Sequence, residues 1–130
     1  MDEILDAALR PVLRDLAGVD PAVRVRLRDD DWSGDPGRPS AMLRGSGGTG
    51  AGVAVLRDDP PGLRVADAAE QVQEWAVKEL AAVGASNWPV CPAHPGTHPL
   101  RAGLRSGQAW WECPHTGDGV AVVGELGDRR

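Results

Sequence analysis

The sequence lacks the patterns that mark membrane and secreted proteins. None of its apolar runs approaches the roughly 20 residues that a membrane-spanning helix needs. Its first ten residues, MDEILDAALR, carry acids where a secretory signal would carry basic residues. We therefore expect a cytoplasmic protein with no membrane span.

An excess of positive charge is also missing. The formal net charge is −5, and the arginines are interspersed with Asp and Glu. Proteins that bind nucleic acid without specificity normally neutralise phosphates with a basic face. The abundance of Arg over Lys, like the absence of Phe and Tyr, is typical of GC-rich codon usage. The charge balance therefore disfavours nucleic acid as a partner.

The glycine-rich segment at residues 45–50, GSGGTG, lacks the context of a nucleotide-binding loop. It fits the pattern G-x-G-x-x-G, but a dinucleotide-binding turn leads into a helix whose N-terminus receives the pyrophosphate. Here the strand pattern VAVL follows, and no Lys-Ser or Lys-Thr pair follows the glycines as in phosphate-binding loops. We interpret the segment as the loop of a β-hairpin.

No internal repeat and no long linker divides the chain, so we predict a single α+β domain over residues 1–130. It begins with an amphipathic helix, in which apolar residues recur at three- and four-residue spacing from Ile4 to Leu16. Pro11 lies inside this pattern, so either the helix kinks there or a second helix starts there. The Asp-Pro pair at residues 20–21 is expected to stop the helix.

Short alternating segments predict a small antiparallel sheet. Residues 22–28 alternate strictly between apolar residues and arginines, which is typical of a half-buried strand. Residues 40–44 and 51–57 flank the glycine loop and predict a hairpin. The arginine row is either the solvated face of that sheet or an anion-binding face, and the acids at residues 29–31 offset its charge. Trp32, which follows these acids, is expected either to cap the core or to stand exposed as a contact residue.

A long helix is predicted over residues 67–83, where the helical pattern is strongest. Asp67 with Glu70 three residues later resembles a capping box, and an apolar stripe follows. Gly84 is expected to end the helix. Trp75 is the bulky residue of an Ala-rich helix, so we expect it to anchor the helix on the sheet.

The chemistry of the chain is concentrated in residues 87–127, which we predict to form a zinc-ribbon-like C-terminal subdomain. Both cysteines and all three histidines lie here, in two similar turns, C-P-A-H-P-G-T-H and C-P-H-T-G. Each resembles the C-P-x-C-G knuckle of zinc ribbons, where two ligands three residues apart converge on one metal. In a reducing compartment, cysteines flanked by histidines favour metal binding over a disulfide. The predicted zinc ligands are Cys91, His94, His98 and Cys113.

The sequence leaves the fourth ligand open. His98 follows His94 by four residues along a Pro- and Gly-rich loop, whereas His115 lies only two residues after Cys113. We prefer His98 because ligands two residues apart strain a shared metal, and His115 is the alternative ligand. If neither closes the site, three ligands and a water would remain, as in catalytic zinc sites. A disulfide between Cys91 and Cys113 is the other outcome compatible with a hairpin.

Three tryptophans near these turns form the candidate partner surface. Trp88 precedes the first turn, and Trp110 and Trp111 lie just before the second. Residues 99–112 predict the hairpin of the ribbon, and residues 120–123 its closing strand. Trp110 and Trp111 should then face opposite sides of the sheet.

The most distinctive pattern of the chain is W-P-V-C-P-A-H-P-G-T-H-P-L, followed by A-W-W-E-C-P and, near the end, by A-V-V-G-E-L. This tail resembles that of a group of small, uncharacterised bacterial proteins with W-P-x-C-P-x-H-P-x-x-H-P-L and W-x-C-P. The likeness covers about a third of the chain, with a weaker likeness in the VQEW helix. It implies a zinc-knuckle-like tail with Cys91, His94, His98 and Cys113 at the motif positions and His115 outside them. It implies no known activity.

These patterns predict a noncatalytic, zinc-binding adaptor or regulatory module that contacts another protein, with tryptophans at the contact. One alternative is a metal-dependent hydrolase with an open zinc position, with Glu112 as general base and His115 as proton shuttle. Another is nucleic-acid binding through the ribbon, supported by Arg101, Arg105 and the tryptophans.

Overall fold

The structure is a computed structural model that describes residues 1–19, 23–46, 50–84 and 87–128. The predicted turn at residues 20–21, the first position of the predicted strand at 22 and the middle of the glycine loop at 47–49 lie outside these ranges. Within them the order is helix, three-stranded antiparallel sheet, helix, three-stranded antiparallel sheet. The predicted α+β fold is confirmed.

The N-terminal helix, α1, spans Glu3–Ala17. Asp2 caps it, because its carboxylate accepts hydrogen bonds from the backbone N–H groups of Ile4 and Leu5. Pro11 lies inside this helix, so the second helix that we considered does not start there. The apolar face of α1 is buried, and burial of that face outweighs the hydrogen bond that a proline removes.

The first sheet has the strand order β1-β2-β3, with β1 at Val25–Asp29, β2 at Ser40–Gly45 and β3 at Gly50–Ala54. The predicted hairpin is therefore present as β2 and β3, although β3 ends at Ala54, earlier than predicted. The inner face of the sheet is buried through residues such as Leu43 and Val53. The outer face carries Arg26 and Arg28 of the arginine row, whereas Arg24 precedes β1, which begins later than the predicted strand.

Trp32 folds back onto the outer face of this sheet. Its indole Nε1 donates a hydrogen bond to the carbonyl oxygen of Ala41 at 3.0 Å. Its ring covers Gly52, where an added Cβ would lie 2.8 Å from a ring carbon. The side chain remains 45% exposed, so it covers the strands and still presents an aromatic edge to solvent.

The long helix, α2, spans Pro61–Ala81, so the predicted start at Asp67 is wrong. Pro60 is the N-cap and Pro61 the first helical residue, a position where proline costs nothing because its missing N–H would be unpaired anyway. Asp67 lies within the helix and caps nothing. Arg64 donates to the carbonyl oxygen of Asp59 at 2.7 Å, which ties the first turn to the preceding loop.

The second sheet contains β4 at Arg101–Arg105, β5 at Gln108–Glu112 and β6 at Gly119–Val122. The predicted hairpin and closing strand are both present. Helix α2 contacts α1 and both sheets, and Trp75 of α2 is buried. One cluster of buried residues includes side chains from both helices and both sheets. In the part of the chain that the structure describes, neither α1 nor α2 combines the length and the apolar composition of a membrane span.

Candidate metal centre

The first turn belongs to a short loop that is closed at its base. Val90 and Pro99 form an isolated antiparallel bridge, and the N–H of Leu100 donates to the carbonyl oxygen of Pro89 at 2.7 Å. Within the loop the N–H of His94 donates to the carbonyl oxygen of Cys91 at 3.1 Å. These contacts hold both ends of the segment that carries one cysteine and two histidines.

Helix α2 fixes the base of this loop through Gln73. The side-chain amide of Gln73 donates to the carbonyl oxygens of Trp88 and Leu100, one on each side of the loop. Trp88 also packs edge-on against Trp111 of β5, with ring centroids 5.6 Å apart. The loop is thereby joined to the helix and to the second sheet.

The second turn follows β5 directly and presents Cys113. Gly117 has a φ of +80°, a conformation that favours glycine, and its N–H donates to the carbonyl oxygen of Cys113 at 2.8 Å. The N–H of Thr116 donates to the sulfur of Cys113 at 3.4 Å. An amide that points at a sulfur favours its thiolate form, which is the form that ligates metals.

Four side chains converge where the two turns meet: Cys91, His94, His98 and Cys113. One donor atom from each lies within 4.8 Å of the others. Nδ1 of His94 is 3.6 Å from the sulfur of Cys91 and 3.6 Å from the sulfur of Cys113. Nε2 of His98 lies 4.0 Å from the Cys113 sulfur. Both thiols are free and buried, with Cys91 0% and Cys113 3% exposed.

The orientation of His98 suits a ligand that binds through Nε2. Its Nδ1 lies 3.1 Å from the carbonyl oxygen of Pro99, which can only accept a hydrogen bond. The proton is therefore assigned to Nδ1, and the lone pair of Nε2 points into the group. A backbone carbonyl in this position is a common way to orient a metal-binding imidazole.

The pKa of the Cys113 thiol is lowered from 9.0 to about 6. The hydrogen bond with the side chain of Thr116 is the largest cause, and burial opposes it by raising the pKa. Hydrogen bonds with the backbones of Thr116 and His115 and with Cys91 lower it further. Cys113 is therefore suited to be a thiolate at neutral pH.

His115 lies beside this group and is not one of the four converging residues. Its ring centroid is 5.5 Å from that of His94 and 6.4 Å from that of His98. The side chain is exposed on the second turn. Of the two histidines considered for the fourth ligand, the structure thus brings His98 into the group.

The tryptophans do not form the exposed surface that we expected. Trp88 is 5% exposed and Trp111 0%, because both pack into the core beneath the two turns. Trp110 lies on the opposite face of β5, as the strand alternation predicts, and is half-buried. The predicted partner surface is therefore wrong for Trp88 and Trp111.

Glu112 does not face the cysteines and histidines. It is the last residue of β5, immediately before Cys113, and its side chain lies over Gly103 on the outer face of the sheet. Its carboxylate lies 3.6 Å from Nε of Arg101 and 3.5 Å from Nε of Arg105. Glu112 is therefore paired with two arginines of β4 and is not one of the four converging residues.

Sequence reasoning missed two supporting residues, Gln73 and Asp15. Asp15 is buried and accepts hydrogen bonds from the indole of Trp111 and from the backbone N–H groups of Gly124 and Leu126. Its signal in the sequence is an acid on the apolar stripe of α1. Gln73 is one of several polar residues on α2, so the sequence carries no signal for it.

The arrangement is a Cys2His2 group that could hold a metal ion. No protein-family model matches the chain, and neither curated proteins nor solved structures include a match to it.

Proposed function

We propose that the chain is a noncatalytic zinc-binding module, in which one zinc ion is held by Cys91, His94, His98 and Cys113. The observation that carries this proposal is the position of His94 Nδ1, 3.6 Å from both sulfurs. A tetrahedral zinc ion with Zn–S of about 2.3 Å and Zn–N of about 2.0–2.1 Å separates sulfur and nitrogen ligands by about 3.6 Å. A hydrogen bond can explain only one of these two contacts, because a ring nitrogen carries either one lone pair or one hydrogen.

The donor set favours zinc over other metals. Two sulfurs and two imidazole nitrogens in a tetrahedral arrangement are typical of structural zinc, whereas magnesium and calcium select oxygen ligands. Four protein ligands also leave no coordination position for a substrate or for a reactive water. A structural role therefore fits these residues better than hydrolysis.

The ion would join two segments that have little regular structure of their own. One is the loop from Cys91 to His98, and the other is the turn after β5. Binding energies of about 10–16 kcal/mol in zinc-finger peptides are large enough to order such turns. The ordered turns then support a role as an adaptor or regulatory module that contacts another protein.

Native mass spectrometry of the purified chain, before and after acid denaturation, tests this proposal. We expect one zinc ion per chain in the wild type and its loss in His98→Ala. The matched control is His115→Ala, which removes the neighbouring imidazole outside the group and should keep the zinc. A metal-free wild type, or zinc that is lost with His115→Ala and kept with His98→Ala, would overturn the ligand set.

A further inference from the structure

The outer face of the first sheet and the residue just before β1 carry four exposed arginines that the proposed zinc site does not involve. They are Arg24, Arg26, Arg28 and Arg44. Among the described residues, none of them has a salt-bridge partner. We call this surface the arginine face.

Pairing within the sheet concentrates this charge. Arg26 of β1 lies directly opposite Arg44 of β2, and like charges at opposite positions destabilise a sheet. Elsewhere in the molecule, Arg10 and Arg57 pair with carboxylates. The sheet therefore concentrates positive charge on this face, although the chain has a net charge of −5.

The arginine face is concave at one end and apolar at the other. A groove of about 650 Å³ at this end is lined by Arg24, Arg26 and Arg44 together with Val25, Gly45 and Ser46. Strand β3 adds little bulk to the same face, because Gly50 and Gly52 stand opposite Arg44 and Met42. The half-exposed ring of Trp32, over Gly52, lies at the other end.

We propose that the arginine face binds an acidic peptide segment in extended conformation, supplied by a protein partner. Arg26 and Arg28 alternate along β1 and are about 6.6 Å apart, and Arg24 lies two residues before Arg26, just outside the strand. An extended peptide with Asp or Glu at every second residue repeats its carboxylates at the same distance. Guanidinium groups form charge-assisted hydrogen bonds with such carboxylates, and the unpaired Arg26 and Arg44 would gain counter-charges. The inference rests on the proposed role in protein binding and does not require zinc.

The local charge pattern favours a short peptide over nucleic acid. The basic run along β1 ends at Asp29, and two further acids, Asp30 and Asp31, follow it. A phosphate backbone that continued along the strand would meet these carboxylates, whereas a peptide of about five residues spans only the arginines. The acidic remainder of the chain would repel a polyanion that extends beyond the face.

Fluorescence anisotropy with the full chain tests this inference. The probe is a labelled peptide of alternating Glu and Thr residues, compared with an alternating Lys and Thr peptide and with oligothymidylate. We expect the Glu peptide alone to bind, with an affinity that decreases as salt is added. The double variant Arg26→Ser, Arg44→Ser should weaken binding by at least about tenfold.

The matched control is the double variant Arg14→Ser, Arg38→Ser, which removes the same charge from exposed arginines elsewhere and should change the affinity less than about twofold. Absence of binding, equal loss in both double variants, or tighter binding of oligothymidylate would overturn the inference. Native mass spectrometry of the same samples reports zinc separately. Peptide binding by a zinc-free chain would refute the metal proposal alone, and zinc retention without peptide binding would refute the arginine face alone.

Discussion

Asp15 of α1 and Trp111 of β5 are 96 residues apart in sequence and share a buried hydrogen bond of 2.8 Å between the indole Nε1 and the carboxylate. The same carboxylate also accepts the N–H of Gly124 at 2.6 Å and the N–H of Leu126 at 3.0 Å. One side chain thus joins the first helix to the second sheet and to the segment that follows it. Because Trp111 packs beneath the Cys2His2 group, this junction also supports the two turns.

Replacement of Asp15 should destabilise the whole fold. Asp15→Ala leaves three donors without their acceptor, and we expect the free energy of unfolding to fall by about 3 kcal/mol, measured by urea denaturation. Asp15→Asn keeps the size but turns an NH2 group toward donors, so it should also be destabilising. The control Asp6→Ala removes a half-exposed acid that pairs with Arg10 and should cost less than about 1 kcal/mol. Equal midpoints for the Asp15 and Asp6 variants would contradict this role.

The cap at Asp2 predicts a specific pH dependence. The hydrogen bond from Arg57 is the main cause that lowers the pKa of Asp2 below its ordinary 3.8. A lowered pKa in the folded state stabilises the fold above pH 3.8, and this contribution is lost as the pH falls through the folded-state value. Asp2→Asn keeps the capping oxygen and loses the charge, so it should be less stable than wild type at pH 7, with a difference that shrinks below pH 3.8.

Asp2→Ala removes both the cap and the ion pair and should cost about 1 kcal/mol at pH 7. Urea midpoints for wild type and both variants between pH 7 and pH 2.5 check this. A difference between wild type and Asp2→Asn that stays constant to pH 2.5 would show that the Arg57 pair does not contribute.

Gly62 in the first turn of α2 tests the contact between this helix and the second sheet. An added Cβ would lie 1.9 Å from the carbonyl oxygen of Gly107, in the turn between β4 and β5. We expect Gly62→Ala to destabilise by roughly 1–3 kcal/mol from overpacking, although Ala favours helix. The control Gly127→Ala meets no atom within 4 Å, and its Tm should be unchanged. A higher Tm for Gly62→Ala would mean that the helix start can move freely.

Removal of the proposed zinc ion should loosen the turns before it affects the first sheet. The N–H groups of Thr116 and Gly117 bond to the sulfur and carbonyl of Cys113, so their protection depends on the ligand remaining in place. Hydrogen exchange followed by NMR after chelation should show faster exchange at Thr116 and Gly117 and unchanged exchange at Leu43 of β2. Unchanged exchange at Thr116 would indicate that the turns form without metal.

Much of the fold and the residue set of the site could be predicted from local pattern. Strand alternation places Trp110 and Trp111 on opposite faces, and the Cys-Pro-x-His spacing brings Cys91 and His94 to one turn. The alternation of side chains along a strand cannot tell which of its two faces will pack against the core. Trp111 packs in the core with its indole N–H satisfied by Asp15, which is far away in sequence, and no local signal reports such a partner.

The start of α2 was mispredicted for a different reason. Asp67 and Glu70 have the spacing of a capping box, but the chain already becomes helical at Pro61. The composition of the segment Asp-Asp-Pro-Pro-Gly predicts a loop, but proline is favourable in the first turn of a helix. Gly62 reaches the turn of the second sheet, and this long-range contact favours the earlier start.

X-ray absorption at the zinc edge, on protein purified with zinc, tests the central claim most directly because it counts the ligand atoms. The account predicts two sulfur ligands at about 2.3 Å and two nitrogen ligands at about 2.0–2.1 Å, from Cys91, Cys113, His94 and His98. In Cys113→Ser one sulfur should disappear from the shell. A shell without sulfur, or with a single sulfur and a water oxygen in the wild type, would contradict the closed Cys2His2 site.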